Sequence, residues 1–279
     1  MARGPERREF HGIVGGMRTV TLVVLALLVS STVTADRSRT RRRLVHAGVT
    51  TGAGIAYFVV QYGLKDRLTP NGCTWCDPPS VDASIRNALV WRDAKRANFL
   101  ADVTGYYSAP VLALGSLMLA GRHDGPGRWI DDTLPVFESA VAAGLLHHAT
   151  KFMLPRERPG KHFGAILVEP ASDQNFSFFS GHSSLAFSLA VSAGTVAHLR
   201  GYAAEPYLWI GGLGLAVATG YLRIGADAHY ASDVAVGAVV GSGLGIAVPL
   251  LLHRKVLGEH ATLLPTGPTG AGVTLLGRF

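Results

Sequence analysis

Four segments of this chain, 103–120, 184–199, 207–222 and 234–252, are apolar on every face and carry almost no charge. A helix that is apolar all round is either a membrane span or the centre of a large core. Four of them in one domain cannot all be central, so the pattern favours a bilayer. Two more segments, 44–64 and 129–153, are apolar but hold polar groups. The first has His46 and Gln61; the second has Asp131, Asp132, Glu138, His147 and His148. No useful period-2 alternation precedes the tail, which points to an all-α fold. The expected architecture is a helical bundle of about six helices, membrane-embedded, with its active site at one end. Gly237, Gly241, Gly243 and Gly245 add the small-residue spacing that lets membrane helices approach closely.

Composition agrees with this reading. Charged residues make up 16% of the 279, against about 25% in an average soluble chain. The net charge of +7 raises the question of nucleic acid. The basic residues form no stripe interleaved with aromatics, however, so nucleic acid is excluded as a partner. A membrane surface or an anionic substrate fits better.

Four regions follow. Residues 1–35 read as a signal peptide or a first transmembrane segment. The apolar core 20–33 is short for a span, and Val33-Thr34-Ala35 resembles a cleavage site. Residues 36–102 hold an N-terminal helix, a cysteine-containing loop and an amphipathic helix. Residues 103–253 form the catalytic bundle, and 254–279 a Gly/Pro-rich tail of loop or short strand. The arginines between Arg37 and Arg43 would stay cytoplasmic by the positive-inside rule, which puts the loops after a spanning 44–64 helix outside. A cleaved signal peptide would leave those arginines outside, so the two readings conflict. Residues 81–102 read as one amphipathic helix, with Ile85, Leu89, Phe99 and Leu100 opposite Arg86, Arg92, Lys95 and Arg96. It is either a covering helix or one that meets anionic head groups. Cys73 and Cys76 lie among Pro, Gly and Asn, which is loop chemistry; a local disulfide or two idle thiols are expected there.

Three short stretches carry the chemistry. His229 and Asp233 are four apart at the start of a helix, so they share a face. Asp233 is then placed to orient the ring of His229 and leave its other nitrogen free as a nucleophile. Ser180 precedes an apolar helix as a natural N-cap, with Gly181 and His182 following. The free amides of such a first turn form an anion site. Lys151 sits at a helix end before Pro155, Arg158 on the loop beyond, and Arg223 six residues before His229. Guanidinium forks suit phosphate oxygens. Each piece is common alone; antiparallel helices joined by these loops bring them to one end of a bundle. His147, one turn before Lys151, is read as a core or helix-surface residue with a possible place behind the site.

Lys151-x6-Arg158-Pro159, Ser180-Gly181-His182 and Arg223-x5-His229-x3-Asp233 together resemble the three-part signature of the type-2 phosphatidic acid phosphatase and vanadium haloperoxidase superfamily. The resemblance covers roughly residues 100–252. It departs at Phe179, where the family usually has Pro, and at Leu222, where it often has Ser. It implies a phosphatase without metal or cofactor that hydrolyses a terminal phosphate through a phosphohistidine. In that scheme His229 attacks, Asp233 steadies it, and His182 protonates the leaving oxygen. Lys151, Arg158, Arg223 and the amides around Ser180 and Gly181 hold the phosphate. The leading expectation for the substrate is a lipid or isoprenoid phosphate at the envelope membrane, and the parity of spans puts the site on the extracytoplasmic face. The alternatives are a vanadium-dependent haloperoxidase and a soluble envelope acid phosphatase acting on small phosphomonoesters. Nothing in the sequence bears on oligomeric state.

Overall fold

The computed structural model describes residues 39–70, 72–165, 167–253, 261–266 and 272–277. The expected signal peptide or first span in 1–35 lies outside them. Helix α1 (Arg39–Phe58) widens through a π-helical stretch, Val59–Leu64, and ends in the turn Lys65–Leu68. After the cysteine loop come α2 (Ser80–Leu89) and α3 (Ala94–Asp102). The latter continues through π-helical Val103–Ser108 into α4 (Ala109–Ala120). Then follow α5 (Pro126–Met153), α6 (Gly181–Arg200), α7 (Glu205–Gly225) and α8 (Ala231–Val248), the last extended by π-helical Pro249–His253. The body is all-α, with six long rods, α2 and the one-turn helix Pro159–His162 among the described residues. In the tail, β1 (Ala261–Thr266) and β2 (Gly272–Gly277) pair as an antiparallel hairpin, Ala261 opposite Gly277.

The single amphipathic helix expected over 81–102 is two helices. Asp93 accepts the Arg96 amide at 2.9 Å and starts α3 afresh. Just before it, the Trp91 amide donates to the Gly225 carbonyl at 2.9 Å and its indole to the Tyr221 hydroxyl at 3.0 Å. These ties to α7 break the helix where its periodicity would have continued. The expected boundary at 102/103 also falls inside the continuous Ala94–Ala120 rod.

Helix α6 is the hub, packed by α4, α5, α7 and α8. Ala186, Leu189, Ala193 and Val196 meet Ala113, Leu117, Val136, Leu208 and Ala216 in one core. Its α8 contact depends on glycine. A Cβ on Gly237 would stand 2.6 Å from the Ser180 carbonyl oxygen, and one on Gly241 2.3 Å from that of Ser184. Gly245 completes the seam against Ser192 and Val191. Gly243 faces open space and is not part of it, because only every fourth residue returns to the same face.

Four helices are long and apolar enough to cross a membrane: Thr40–Leu68, Ala94–Ala120, Glu205–Gly225 and Ala231–His253. Three contain apolar segments read from the sequence. The remaining one, 184–199, is instead the buried centre of the bundle, and α1 joins the candidate spans. Their outer faces carry exposed Ile55, Phe58, Val111, Leu119, Ile210, Val217, Val239 and Leu251. So long a row of outward apolar side chains on separate helices fits lipid contact. Helices α1 and α5 run parallel, tied by Arg43–Asp131 at one end and Gln61–His148 nearer the other.

Candidate active site

The C-terminal ends of α5 and α7 and the N-terminal ends of α6 and α8 meet at one rim of the bundle. They bring together Lys151, Arg158, Ser180, Gly181, His182, Arg223, His229 and Asp233.

His229 is buried. Its Nδ1 lies 2.7 Å from the Ser177 carbonyl oxygen and its Nε2 3.2 Å from Arg158 Nη1. A guanidinium only donates, so Nε2 must be the acceptor and Nδ1 must carry the proton to Ser177. The tautomer is thereby fixed with a lone pair on Nε2 facing the cations. Burial, then the charges of Arg158, Arg223 and Lys151, push this imidazole well below its ordinary range and keep it neutral.

The expected hydrogen bond from His229 to Asp233 is replaced by a longer route. Asp233 Oδ2 is 3.8 Å from Nδ1. It instead accepts from the Ser177 hydroxyl at 2.6 Å and the Tyr230 amide at 2.9 Å, while Oδ1 accepts from Arg156 at 2.5 Å. The reason lies in helix capping: Asp233, three residues after Tyr230, closes the first turn of α8, and its lone pairs are spent there. Ser177 thus bridges the pair, its hydroxyl on Asp233 and its carbonyl on His229.

Arg156 is fully buried. Its guanidinium lies between the rings of Trp75 and Tyr230, 3.7 and 4.3 Å from their centroids, and also donates to Asp82 at 2.8 Å. Trp75 is held in turn by its own amide on the Pro155 carbonyl, in the loop that Cys73 and Cys76 close as a disulfide. Arg86, expected on the polar face of a surface helix, instead clamps Asp227 with contacts of 2.7 and 2.5 Å. Asp227 has φ 57, in the turn two residues before His229. A non-glycine residue there costs conformational energy, and the ion pair helps hold it.

His182 Nε2 lies 2.7 Å from Asp102 Oδ1, with the Tyr106 ring 4.3 Å away. Burial, with Arg223 adding to it, lowers the ring to about 4 against the opposing pull of Asp102. Ser180 caps α6, its hydroxyl accepting the Ser183 amide. Its own amide is taken by the Asp233 carbonyl at 3.0 Å, so Gly181 and His182, not Ser180, bring the first-turn amides that lack a helical acceptor. A Cβ on Gly181 would sit 2.6 Å from Nε2 of His147; His147 therefore lies buried directly behind this turn.

Arg223 is buried, with Nη1 on the Asn98 side chain, Nη2 on Glu169 Oε1 and Nε without a partner. Against the upward push of burial, the charges of Arg223 and Arg158 and the Arg223 hydrogen bond hold the Glu169 carboxyl far below its usual range. A carboxylate thus faces the cations that an incoming phosphate would need. Lys151, 5.8 Å from the Phe176 ring centre, is lowered to about 7, first by burial and then by Arg158.

Sequence reasoning misses Arg156, Ser177, Asp102 and Glu169. Arg156 and Ser177 stand beside motif residues and could have been flagged by that closeness alone. Asp102 and Glu169 reach the site only through folding.

The donors converging here, three long cations and helix-start amides, form an anion site rather than a cation site. Residues 132–257 match the family model of the PAP2 superfamily. That stretch holds every motif residue named above and leaves out Trp75, Asp82, Asn98 and Asp102. The match supports phosphatase-type activity at the level of the family. No curated protein matches the chain.

Proposed function

We propose, taking the PAP2-superfamily match as premise, that this protein is a metal-independent phosphatase working through a phosphohistidine. The observation that carries the reading is the fixed tautomer of His229, buried and neutral with its Nε2 lone pair among cations. Nε2 attacks phosphorus, the N–P bond forms, and the P–O bond to the leaving group breaks. His182, protonated once the bound phosphate's negative charge joins that of Asp102, gives that oxygen its proton. Water then attacks phosphorus, His182 takes the water proton, and the N–P bond breaks to release phosphate. Lys151, Arg158, Arg223 and the Gly181 and His182 amides offset the charge on the equatorial oxygens, in preorganised geometry. A phosphate entering the cradle displaces Glu169 from Arg223.

The substrate is a lipid or isoprenoid phosphate, because the cradle opens at the rim of a bundle whose outer faces are apolar. The site faces the extracytoplasmic side. Arg43 and the other basic residues opening α1 lie at the opposite end from the cradle, where the positive-inside rule puts the cytoplasm. The Cys73–Cys76 disulfide lies at the cradle end, as an oxidising compartment permits.

The test is phosphate release by purified protein, with EDTA present, from phosphatidate, phosphatidylglycerophosphate, an isoprenoid diphosphate and a soluble phosphomonoester. Release from the lipids, with an acid-labile phosphoenzyme trapped in wild type and absent in His229→Ala, is expected. Loss of activity in EDTA, or equal phosphoenzyme in His229→Ala, defeats the mechanism. Turnover of the soluble ester alone defeats the substrate assignment.

A further inference from the structure

At the far end of the bundle, three helices bring two histidines and a glutamate together. His46 comes from α1, Glu138 from α5 and His253 from the π-helical end of α8, and all three are buried. His46 Nδ1 lies 2.8 Å from Glu138 Oε1, and His253 Nε2 lies 2.5 Å from Oε2. Thr50 Oγ1 adds a contact to Oε1 at 3.3 Å. The two imidazole rings tilt against each other with centroids 4.8 Å apart. The cluster is remote from the phosphate cradle: Glu138 precedes Lys151 by thirteen residues of α5, roughly 20 Å at helical rise.

We infer that His46, Glu138 and His253 form a binding site for a divalent transition ion, with Zn2+ the best-fitting class. Two imidazole nitrogens and one carboxylate are a ligand set suited to Zn2+ and Co2+, and unsuited to Mg2+ or Ca2+. One ligand atom from each residue falls within 4.8 Å of the others. A tetrahedral ion spaces its ligand atoms about 3.4 Å apart, so side-chain shifts on the order of 1 Å suffice. Binding turns lone pairs of His46 Nδ1 and His253 Nε2 toward the ion, and each ring keeps its proton on the other nitrogen. Thr50 is placed to hold the carboxylate, as groups behind metal ligands do. His46 and His253 also lie within candidate spans, where ionisable side chains are costly and mark functional sites. The ion would fasten α1 to α5 and α8.

The experiment uses full-length protein in detergent, purified without a histidine tag and stripped of metal. It measures Co2+ uptake by elemental analysis and visible absorption, and the Tm with Zn2+ present. One Co2+ per chain with a four- or five-coordinate spectrum is expected, along with a Tm raised by several degrees. His46→Ala, His253→Ala and Glu138→Gln should each lose both signals while keeping phosphate release within about twofold of wild type, which also shows that they fold. Absence of saturable uptake in wild type overturns the site, whatever the variants do. An unchanged spectrum in all three variants overturns it too, because the ion then binds elsewhere. The outcome is independent of the phosphatase reading, which the EDTA and phosphoenzyme measurements test separately.

Discussion

At the cradle end, His229 faces Asp233 at 3.8 Å with Ser177 between them; at the far end, Glu138 touches His46 at 2.8 Å and His253 at 2.5 Å. Each end sets histidine against a carboxylate, aspartate at one and glutamate at the other, and their surroundings differ. At the cradle, Arg158, Arg223 and Lys151 crowd the histidine. The nearest carboxylate, Asp233, is turned to a helix cap and to Arg156. The imidazole keeps its Nε2 lone pair among cations, an arrangement fit for an anion. At the far end the hydrogen-bond partners of Glu138 among the described residues are His46, Thr50 and His253, so the carboxylate faces both rings directly, an arrangement fit for a cation. The charge surrounding a buried histidine, more than its neighbour in sequence, decides which ligand it serves.

The sharpest way to break this comparison is to remove a carboxylate from each end. Asp233→Asn leaves Arg156 and Ser177 without their anion and should lower kcat about a hundredfold or more. Glu138→Gln should change phosphate release less than twofold, as measured with the same substrate. Equal losses would show that both carboxylates act only through stability.

Ser177→Ala is a finer cut. The carbonyl that orients His229 remains, and only the hydroxyl bridge to Asp233 is lost. One hydrogen bond to a charged group is worth about 1.5 kcal/mol at the low end of its range, so a drop in kcat of about tenfold is expected with KM little changed. A loss as large as that of Asp233→Asn would place the bridge, not the carboxylate, at the centre.

The pH profile tests the cation crowd itself. Lys151, lowered to about 7 by burial and Arg158, is charged below that value and neutral above it. Phosphate is held by the charged form, so kcat/KM should fall as pH rises through about 7. Lys151→Arg keeps its charge at any working pH, and that descending limb should vanish or move up. An identical limb in wild type and Lys151→Arg would assign the titration to another group.

The smallest effect is expected at Glu169. Glu169→Gln removes the anion that competes for Arg223, and inhibition by vanadate should become a few fold tighter. Weaker inhibition would mean that Glu169 helps to shape the cradle.

The all-α body, the motif residues and the end of the bundle where they meet were legible in the sequence. Apolar segments dictate helices, and connections between antiparallel neighbours fix which ends converge. The cap at Ser180 was legible for the same reason, since capping depends on residues three apart. What only the tertiary structure decided are the long-range contacts. Asp102 meets His182 across 80 residues and Arg156 meets Asp233 across 77; no local periodicity encodes either. The break at residues 90–93 belongs with these, because Trp91 binds α7 more favourably than it continues a helix. So does the role of segment 184–199, whose composition reads as a span and whose place is the core. Local patterning specifies which helices form and which face is apolar. Which charge ends beside which histidine is set by packing, where burial makes each partner energetically decisive.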